Sequence, residues 1–181
     1  MHFDALSLPG VWLVRQTPRE DSRGHFARSF CAVAFGARGL PSVFPQCNVS
    51  FNARAGTLRG MHWQADPHPE GKLVRCSRGA LFDVAIDIRR TSASFGRWVG
   101  ATLTEADGDA LYIPPGFAHG FQTLQDATEV FYMMTVPFRD GLARGLRWDD
   151  PSVAVDWPLP DPVLSNRDAE LPGLAGIEPL S

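Results

Sequence analysis

One histidine, two cations and two glycines lie close together in the segment Gly56–Gln64 and the short run that follows it. Arg59 stands three residues before His62, and Lys72 stands ten residues after it. An imidazole can accept a proton near neutral pH, and fixed cations stabilise the negative charge that a departing proton leaves behind. This combination suits the removal of a proton from an anionic substrate.

A metal site is the main alternative role for these histidines. Metal-dependent jelly-roll proteins use two histidines one residue apart, together with a carboxylate and a later histidine. Position 64 is Gln64, so the pair that would begin at His62 is missing, and His62 with His119 alone would lack a defined third ligand. We therefore expect no catalytic metal.

The composition argues against several classes of protein. A chain of 181 residues suits a single domain, and its formal charge of -3 with 20% charged residues is unlike the basic excess of a nucleic-acid binder. Cys31, Cys47 and Cys76 are odd in number and far apart, so we expect reduced cysteines rather than a disulfide framework or a zinc site. No apolar stretch is long enough to span a bilayer and no signal peptide is evident, so we expect a cytoplasmic protein without a membrane partner.

Many short strands must position the reactive groups, because 17 Gly and 15 Pro interrupt almost every apolar run. Apolar and polar residues alternate along Phe82–Ile88, which puts Asp83 and Asp87 on the face opposite the large apolar side chains. Leu73–Cys76 and Leu111–Ile113 are also typical of strands. Strands at such spacing predict an all-β sandwich or barrel.

Helices are expected only at the periphery of this sandwich. Cys31–Leu40 is predicted to be a short helix that Gly39 ends, and the region after Pro158 is predicted to be loop with one brief helical turn. No internal repeat or linker divides the sequence, so we expect one domain over residues 1–181.

A series of motifs across the chain resembles one known family. The motifs are Asp21-x-Arg23-Gly24, Gln46-x-Asn48-x-Ser50, Leu58–Gln64, Gly71–Arg75, Arg78-Gly79, Phe82–Arg89, Ile113–Phe121, Arg147–Pro151 and Asp156–Pro158. Together they resemble the dTDP-4-dehydrorhamnose 3,5-epimerase family over roughly residues 9 to 170. The resemblance implies a cupin-type jelly roll with a few short peripheral helices, a core of about residues 9–170 and a loose C-terminal tail. It also implies a homodimer with partly exchanged strands and no cofactor or metal.

The chemistry implied by the resemblance acts on a nucleotide-linked 4-keto-6-deoxyhexose, by default the dTDP sugar of L-rhamnose biosynthesis. The C4 ketone acidifies the hydrogens at C3 and C5, so a base can remove a proton from one face and an acid can return one to the other. By resemblance His62 is the base and Asp168 orients it, while Tyr132 is the acid on the opposite face. Lys72, the only lysine of the chain, then stabilises the enolate charge on the C4 oxygen.

The resemblance also implies which residues bind the nucleotide sugar. Arg59 and Arg23 would contact the pyrophosphate, because a guanidinium fork matches phosphate oxygens. His119 and Asp83 would lie at the sugar site or directly behind it. The other expected substrate-binding residues are Phe26, Arg28, Gln46, Asn48 and Phe138.

Three positions depart from the common family pattern. Arg28 stands where a glutamate is usual, so the nucleotide base is expected to be thymine only by default. Met133 replaces a lysine that commonly follows the acidic tyrosine. Phe138 replaces a second tyrosine, which leaves open whether both centres or one centre, C3 or C5, is inverted.

Three further classes of function stay open from the sequence. A noncatalytic cupin that binds a sugar nucleotide would keep the pocket without turnover. A metal cupin, such as a dioxygenase or a non-redox isomerase, would contain iron, manganese or zinc. A related isomerase would convert the same keto sugar to a 3-keto product, and only product analysis separates it from an epimerase.

Overall fold

Thirteen strands and two short helices make up the fold in the computed structural model, which describes residues 1–180. The elements are β1 (His2–Ala5), β2 (Trp12–Arg15), β3 (Arg19–Asp21), β4 (Gly24–Phe26), α1 (Ala32–Gly36), β5 (Gln46–Asn52), β6 (Leu58–Gln64), β7 (Lys72–Arg78), β8 (Ala80–Asp87), β9 (Trp98–Thr104), β10 (Ala110–Ile113), β11 (Phe117–Thr123), β12 (Thr128–Met134), β13 (Ala143–Gly145) and α2 (Asn166–Ala169). Short 3-10 turns cover Asp140–Leu142 and Leu174–Gly176.

Two antiparallel sheets form a sandwich. One has six strands in the order β1-β2-β10-β7-β12-β5, and the other has five in the order β13-β6-β11-β8-β9. Strands β3 and β4 form a separate hairpin that pairs with neither sheet. The predicted all-β jelly-roll sandwich with short peripheral helices is confirmed.

The main apolar core lies between the two sheets. Val74 and Leu111 reach it from the six-stranded sheet, and Leu103 and Phe121 reach it from the five-stranded sheet. Each of these side chains is at least 96% buried, and burying an apolar side chain of this size contributes roughly 1.5–3 kcal/mol. The core therefore holds the sheets together and fixes the spacing between the groups that they carry.

Strand β8 shows the alternation that its sequence predicts. Val84 and Ile86 pack into a second core on the outer face of the five-stranded sheet, while Leu81 and Ala85 face the main core. Because both faces are covered, the inward-facing Asp83 is completely buried.

The C-terminal segment covers the second core. Leu180 is 4% exposed within it, and the Leu180 backbone exchanges hydrogen bonds with Ile88 and Arg90. The segment that was expected to be a loose tail is tied to the sheet at Leu180 by this buried side chain and two backbone hydrogen bonds. The helical turn expected after Pro158 is α2.

Helix α1 lies on the outer face of the six-stranded sheet, within the predicted Cys31–Leu40 segment but shorter than it. Its Phe35 is fully buried against Val14 and Tyr112. None of residues 1–180 covers the part of this face formed by β5 in the same way, and Val49 and Phe51 stay 60% and 53% exposed. None of the helices in residues 1–180 has the length and apolar character to cross a membrane.

Candidate active site

A cleft lies between the two sheets and consists of two adjoining chambers of about 320 and 330 Å³. Of residues 1–180, four line both chambers: His62, Lys72, Tyr132 and Arg167. His62 comes from β6 in the five-stranded sheet, whereas Lys72 and Tyr132 come from β7 and β12 in the six-stranded sheet. A ligand in the cleft therefore meets the imidazole on one side and the ammonium and phenol on the other.

A β-bulge allows Arg59 and His62 to share the cleft. Residues three apart on a regular strand point to opposite faces. Here His119 pairs with His62 while Phe121 pairs with Arg59, so β6 uses one more residue than β11 over the same distance. The extra residue resets the alternation, and both side chains line the same chamber.

The close approach of β6 and β11 explains the glycine between Arg59 and His62. Gly60 has a φ of +133°, and a Cβ built there would lie 2.5 Å from the Cα of Gly120. Only glycine accommodates both the backbone angle and the contact. The glycine of the motif thus sets how close the two strands lie beside the histidine.

His62 and Asp168 form a hydrogen-bonded dyad, as the resemblance implied. The His62 Nε2 to Asp168 Oδ1 distance is 2.7 Å, and the two residues are 106 positions apart in the chain. Asp168 lies on α2, where Ser165 caps the helix by accepting a hydrogen bond from the Asp168 backbone N–H. A single helical turn thus places the carboxylate behind the imidazole.

The carboxylate of Asp168 is held in its charged form. Burial alone would raise its pKa, but hydrogen bonds from His62, the Gly60 backbone and Ser165 together bring the pKa below its ordinary value. An ionised carboxylate only accepts hydrogen bonds, so the proton of the dyad lies on His62 Nε2. In the neutral imidazole, Nδ1 is then the nitrogen without a proton and can act as a base.

Tyr132 faces the imidazole from the other sheet. Its pKa is raised, first by burial and then by the negative charge of Glu70, while Arg59 opposes the shift. A phenol that stays protonated and lines the cleft is suited to donate a proton to a ligand.

Lys72 is paired with Glu70, a residue that the sequence reasoning missed. Lys72 Nζ lies 2.8 Å from Glu70 Oε1 and 3.4 Å from the backbone oxygen of His62. Both side chains of the ion pair are more than 90% buried. A carboxylate two residues before the only lysine is the signal that could have pointed to this pair.

A second dyad lies beside the first. His119 Nε2 is 2.7 Å from Oδ1 of the fully buried Asp83, and His119 is the cross-strand neighbour of His62. His119 lines the second chamber, while Asp83 lies behind it. Within residues 1–180, no three histidine, cysteine, aspartate or glutamate side chains are grouped so as to hold a metal ion.

Gln46 and Asn48 line the first chamber from β5. Gln46 Nε2 donates to Asn48 Oδ1 at 3.2 Å, and Gln46 Oε1 accepts from the backbone N–H of Phe138 at 2.8 Å. Phe138 also lines this chamber and is 50% exposed. Gln46 therefore ties the segment that carries Phe138 to the sheet.

Besides Asp83, three of the expected binding residues do not line the cleft of their own chain. Arg23 and Phe26 belong to the separate β3–β4 hairpin and line a different depression, and Arg28 lies beside Cys31 in another. Arg23 is instead paired with Asp21, with 2.6 Å between Arg23 Nη2 and Asp21 Oδ2. Within one chain these residues therefore line depressions other than the cleft that contains His62.

The sequence reasoning also missed two arginines at the cleft. Arg144 lines the first chamber and Arg167 lines both. Arg167 precedes Asp168 on α2, so the helix that places Asp168 behind the imidazole also brings the Arg167 guanidinium to the cleft. With Arg59, they give the entrance a positive charge that attracts anions.

Comparison with known proteins identifies the family of this chain. The family model described as dTDP-4-dehydrorhamnose 3,5-epimerase matches residues 5–176. A protein of that name from Sinorhizobium fredii is 43% identical over 178 residues, which cover 98% of this chain and 91% of the relative.

Solved structures show the same fold. The dTDP-6-deoxy-D-glucose-3,5-epimerase of Legionella pneumophila, in complex with dTDP-4-keto-L-rhamnose, superposes with a TM-score of 0.92 at 35% identity, over 98% of this chain and 94% of that one. A 3'-monoepimerase of Streptomyces bikiniensis, in complex with dTDP-quinovose, superposes with a TM-score of 0.88 at 31% identity, over 94% of this chain and 86% of that one. Near-complete coverage in sequence and in structure, together with the dyad across from a tyrosine, shows that the chain belongs to the dTDP-4-dehydrorhamnose 3,5-epimerase family of isomerases.

Proposed function

We propose that the protein inverts C3 and C5 of a dTDP-linked 4-keto-6-deoxyhexose, as in the formation of dTDP-L-rhamnose. The observation that carries the proposal is the placement of a carboxylate-oriented histidine on one sheet and a protonated tyrosine on the other, with a ligand-sized cleft between them. Inversion at carbon requires a proton to leave one face and another to enter the opposite face. The two sheets supply these two groups.

In the proposed mechanism, His62 Nδ1 takes the proton from C3 or C5, and the electron pair of that C–H bond moves through the ring carbon to the C4 oxygen. Asp168 stabilises the imidazolium that forms. The Lys72 ammonium stabilises the enolate oxygen. The enolate electrons then take a proton from the Tyr132 hydroxyl on the opposite face, and exchange with solvent restores both groups.

The cations at the cleft entrance are proposed to hold the pyrophosphate. Arg59 is fixed by a 2.7 Å hydrogen bond from its Nε to Asn52 Oδ1, which leaves the other guanidinium nitrogens for phosphate oxygens. Arg167 lines the same chamber as Arg59. Together they would anchor the diphosphate and leave the sugar between His62 and Tyr132.

We also propose that the protein works as a homodimer in the cytoplasm. The β3–β4 hairpin pairs with neither sheet of its own chain, and its Phe26 is 73% exposed. The edge strand β5 exposes Val49 and Phe51 on its outer face. A second copy would cover these apolar groups, and it would let Arg23, Phe26 and Arg28 reach the cleft of the partner.

Unpaired cysteines among the described residues fit a reducing compartment.

Incubation of dTDP-4-keto-6-deoxyglucose with the enzyme in deuterated water tests the proposed reaction. We expect deuterium at both C3 and C5 and a product with both centres inverted. No exchange at either carbon would refute the epimerase function for this substrate.

A single-centre epimerase is the second candidate. Phe138 lines the first chamber at a position where the family commonly has a tyrosine. One hydroxyl is therefore missing near the proposed site of the sugar. The structural similarity to a 3'-monoepimerase is compatible with this candidate. Deuterium at one carbon alone would establish it in place of double inversion.

A further inference from the structure

Protein stability does not explain why the carboxylate of Glu70 is buried in the cleft. Its carboxylate is more than 90% buried; Oε1 contacts Lys72 Nζ at 2.8 Å, and among residues 1–180 Oε2 has no hydrogen-bond partner. A buried carboxylate oxygen without a partner is costly, and apolar residues of similar volume often replace buried ion pairs without loss of stability. Such a group is typically retained because the site uses it.

The geometry around Lys72 indicates what that use is. An ammonium has three N–H donors on a flexible stem. Glu70 Oε1 takes one of them at 2.8 Å, and the backbone oxygen of His62 lies within reach of a second at 3.4 Å. These two acceptors fix the ammonium between the sheets and leave one N–H for a ligand in the cleft.

We propose that Glu70 is a positioning residue, which holds the Lys72 ammonium where it meets the oxygen that becomes negatively charged during the reaction. The inference rests on the proposed function, because the oxygen in question is the C4 oxygen of the keto sugar. Glu70 itself exchanges no proton with the substrate. Its effect passes through Lys72.

The same carboxylate acts on the acid of the proposed reaction. Glu70, Lys72 and Tyr132 line one chamber, and the negative charge of Glu70 contributes to the raised pKa of Tyr132. Glu70 thus lies beside two of the groups that the reaction needs. A residue with only a packing role would affect neither of them electrostatically.

Two variants separate positioning from packing. Glu70→Leu keeps the volume and removes the acceptor, and we expect kcat to fall about 100-fold because a misplaced catalytic group costs about that much. KM should stay within about threefold, since binding of the ground state is not affected. Glu70→Gln keeps an acceptor oxygen for Lys72, so we expect it to retain kcat within about tenfold of wild type. Equal kcat values for the two variants would overturn the proposal.

The pH profile provides a second readout that a packing role would not move. Glu70→Gln removes a negative charge that raises the pKa of Tyr132, so the tyrosine should lose its proton at lower pH than in wild type. The basic limb of kcat should therefore shift to lower pH in this variant. A basic limb at the wild-type position would count against the proposal.

Nuclear magnetic resonance of Lys72 tests whether Glu70 positions the ammonium, and it does not depend on an activity assay. Lys72 is the only lysine, so protein labelled with 15N-lysine shows one ammonium signal, whose protons exchange slowly with water only while they are hydrogen-bonded. We expect this signal in wild type and Glu70→Gln and its loss in Glu70→Leu. Its survival in Glu70→Leu would refute the role of Glu70, even if the enzyme is an active epimerase. Wild-type protein with the expected signals but no epimerase activity would refute the proposed function and leave the pairing of Glu70 with Lys72 standing.

Discussion

Replacing Asp168 by asparagine removes the charge of the dyad while keeping its shape. In the folded protein Asp168 is 4% exposed, and its carboxylate lies 2.7 Å from His62 Nε2. A hydrogen bond to a charged group contributes about 1.5–3 kcal/mol. Because each 1.4 kcal/mol changes a rate about tenfold, weaker stabilisation of the imidazolium alone should lower kcat roughly 10- to 150-fold.

The tautomer of His62 adds to this loss. The Asp168 carboxylate also accepts a hydrogen bond from the Gly60 backbone N–H. In Asp168→Asn the amide oxygen keeps that bond, and the amide NH2 then faces His62 Nε2. Nε2 must become the acceptor and the proton moves to Nδ1, so the base is blocked. In a serine protease triad the corresponding change costs about 10⁴-fold, and we therefore expect a loss of kcat between about 10² and 10⁴ here.

Deuterium incorporation at C3 and C5, followed by proton magnetic resonance, measures this loss directly. Asp161→Asn is the matched control, because it removes one exposed aspartate charge at a backbone angle that asparagine tolerates. The control should exchange at the wild-type rate. An Asp168→Asn enzyme that retains kcat within about threefold of wild type would refute the dyad as the base of the reaction.

Three further predictions concern the acid, the strand contact and the stability. Tyr132→Phe should still exchange substrate hydrogen for deuterium at His62 but should lose at least about 100-fold in formation of the inverted product; product formed as fast as by wild type would exclude Tyr132 as the acid. Gly60→Ala should reduce the free energy of unfolding by about 3 kcal/mol or more, because its Cβ would lie 2.5 Å from a neighbouring Cα, and an unchanged midpoint in urea would contradict the tight contact. Hydrogen bonds from Arg89, Ser92 and Ser94 outweigh burial and lower the pKa of Asp87 from 3.8 to about 2. Because its folded pKa is depressed, Asp87 should contribute about 2 kcal/mol above pH 4 that is lost as pH falls towards 2. Asp87→Asn should abolish that part of the acid dependence in urea unfolding, and a steep loss that persists in the variant would assign it elsewhere.

Much of the fold could be predicted from local pattern. Alternation along β8 predicts a strand with its aspartates on one face, and Asp83 lies on the face that points to the cleft. Short apolar runs between glycines and prolines predict a β sandwich, and two packed sheets are observed. These features follow from side-chain periodicity within a few residues, which a sequence displays directly.

The composition of the site could be predicted only in part. His62, Lys72 and Tyr132 were expected and line one cleft. Glu70 and Arg167 were not expected. The spacing of Glu70 from the only lysine indicates a pair but not that the pair is buried, and nothing in the sequence distinguishes a cleft arginine from one in solvent. Their roles depend on burial, and burial is decided by segments elsewhere in the chain.

Strand periodicity, the reactive residue types and the glycine-bounded motif around His62 can be read directly from the amino-acid sequence. Three features emerge only from the packed chain: Asp168 meets His62 across 106 positions, a bulge turns Arg59 into the same cleft, and Arg23 stays outside it. The physical reason is that alternation and turn chemistry are local, whereas strand register, bulges and helix docking minimise the free energy of the whole packed chain. A catalytic geometry made of residues from two sheets therefore exists only after both sheets have packed.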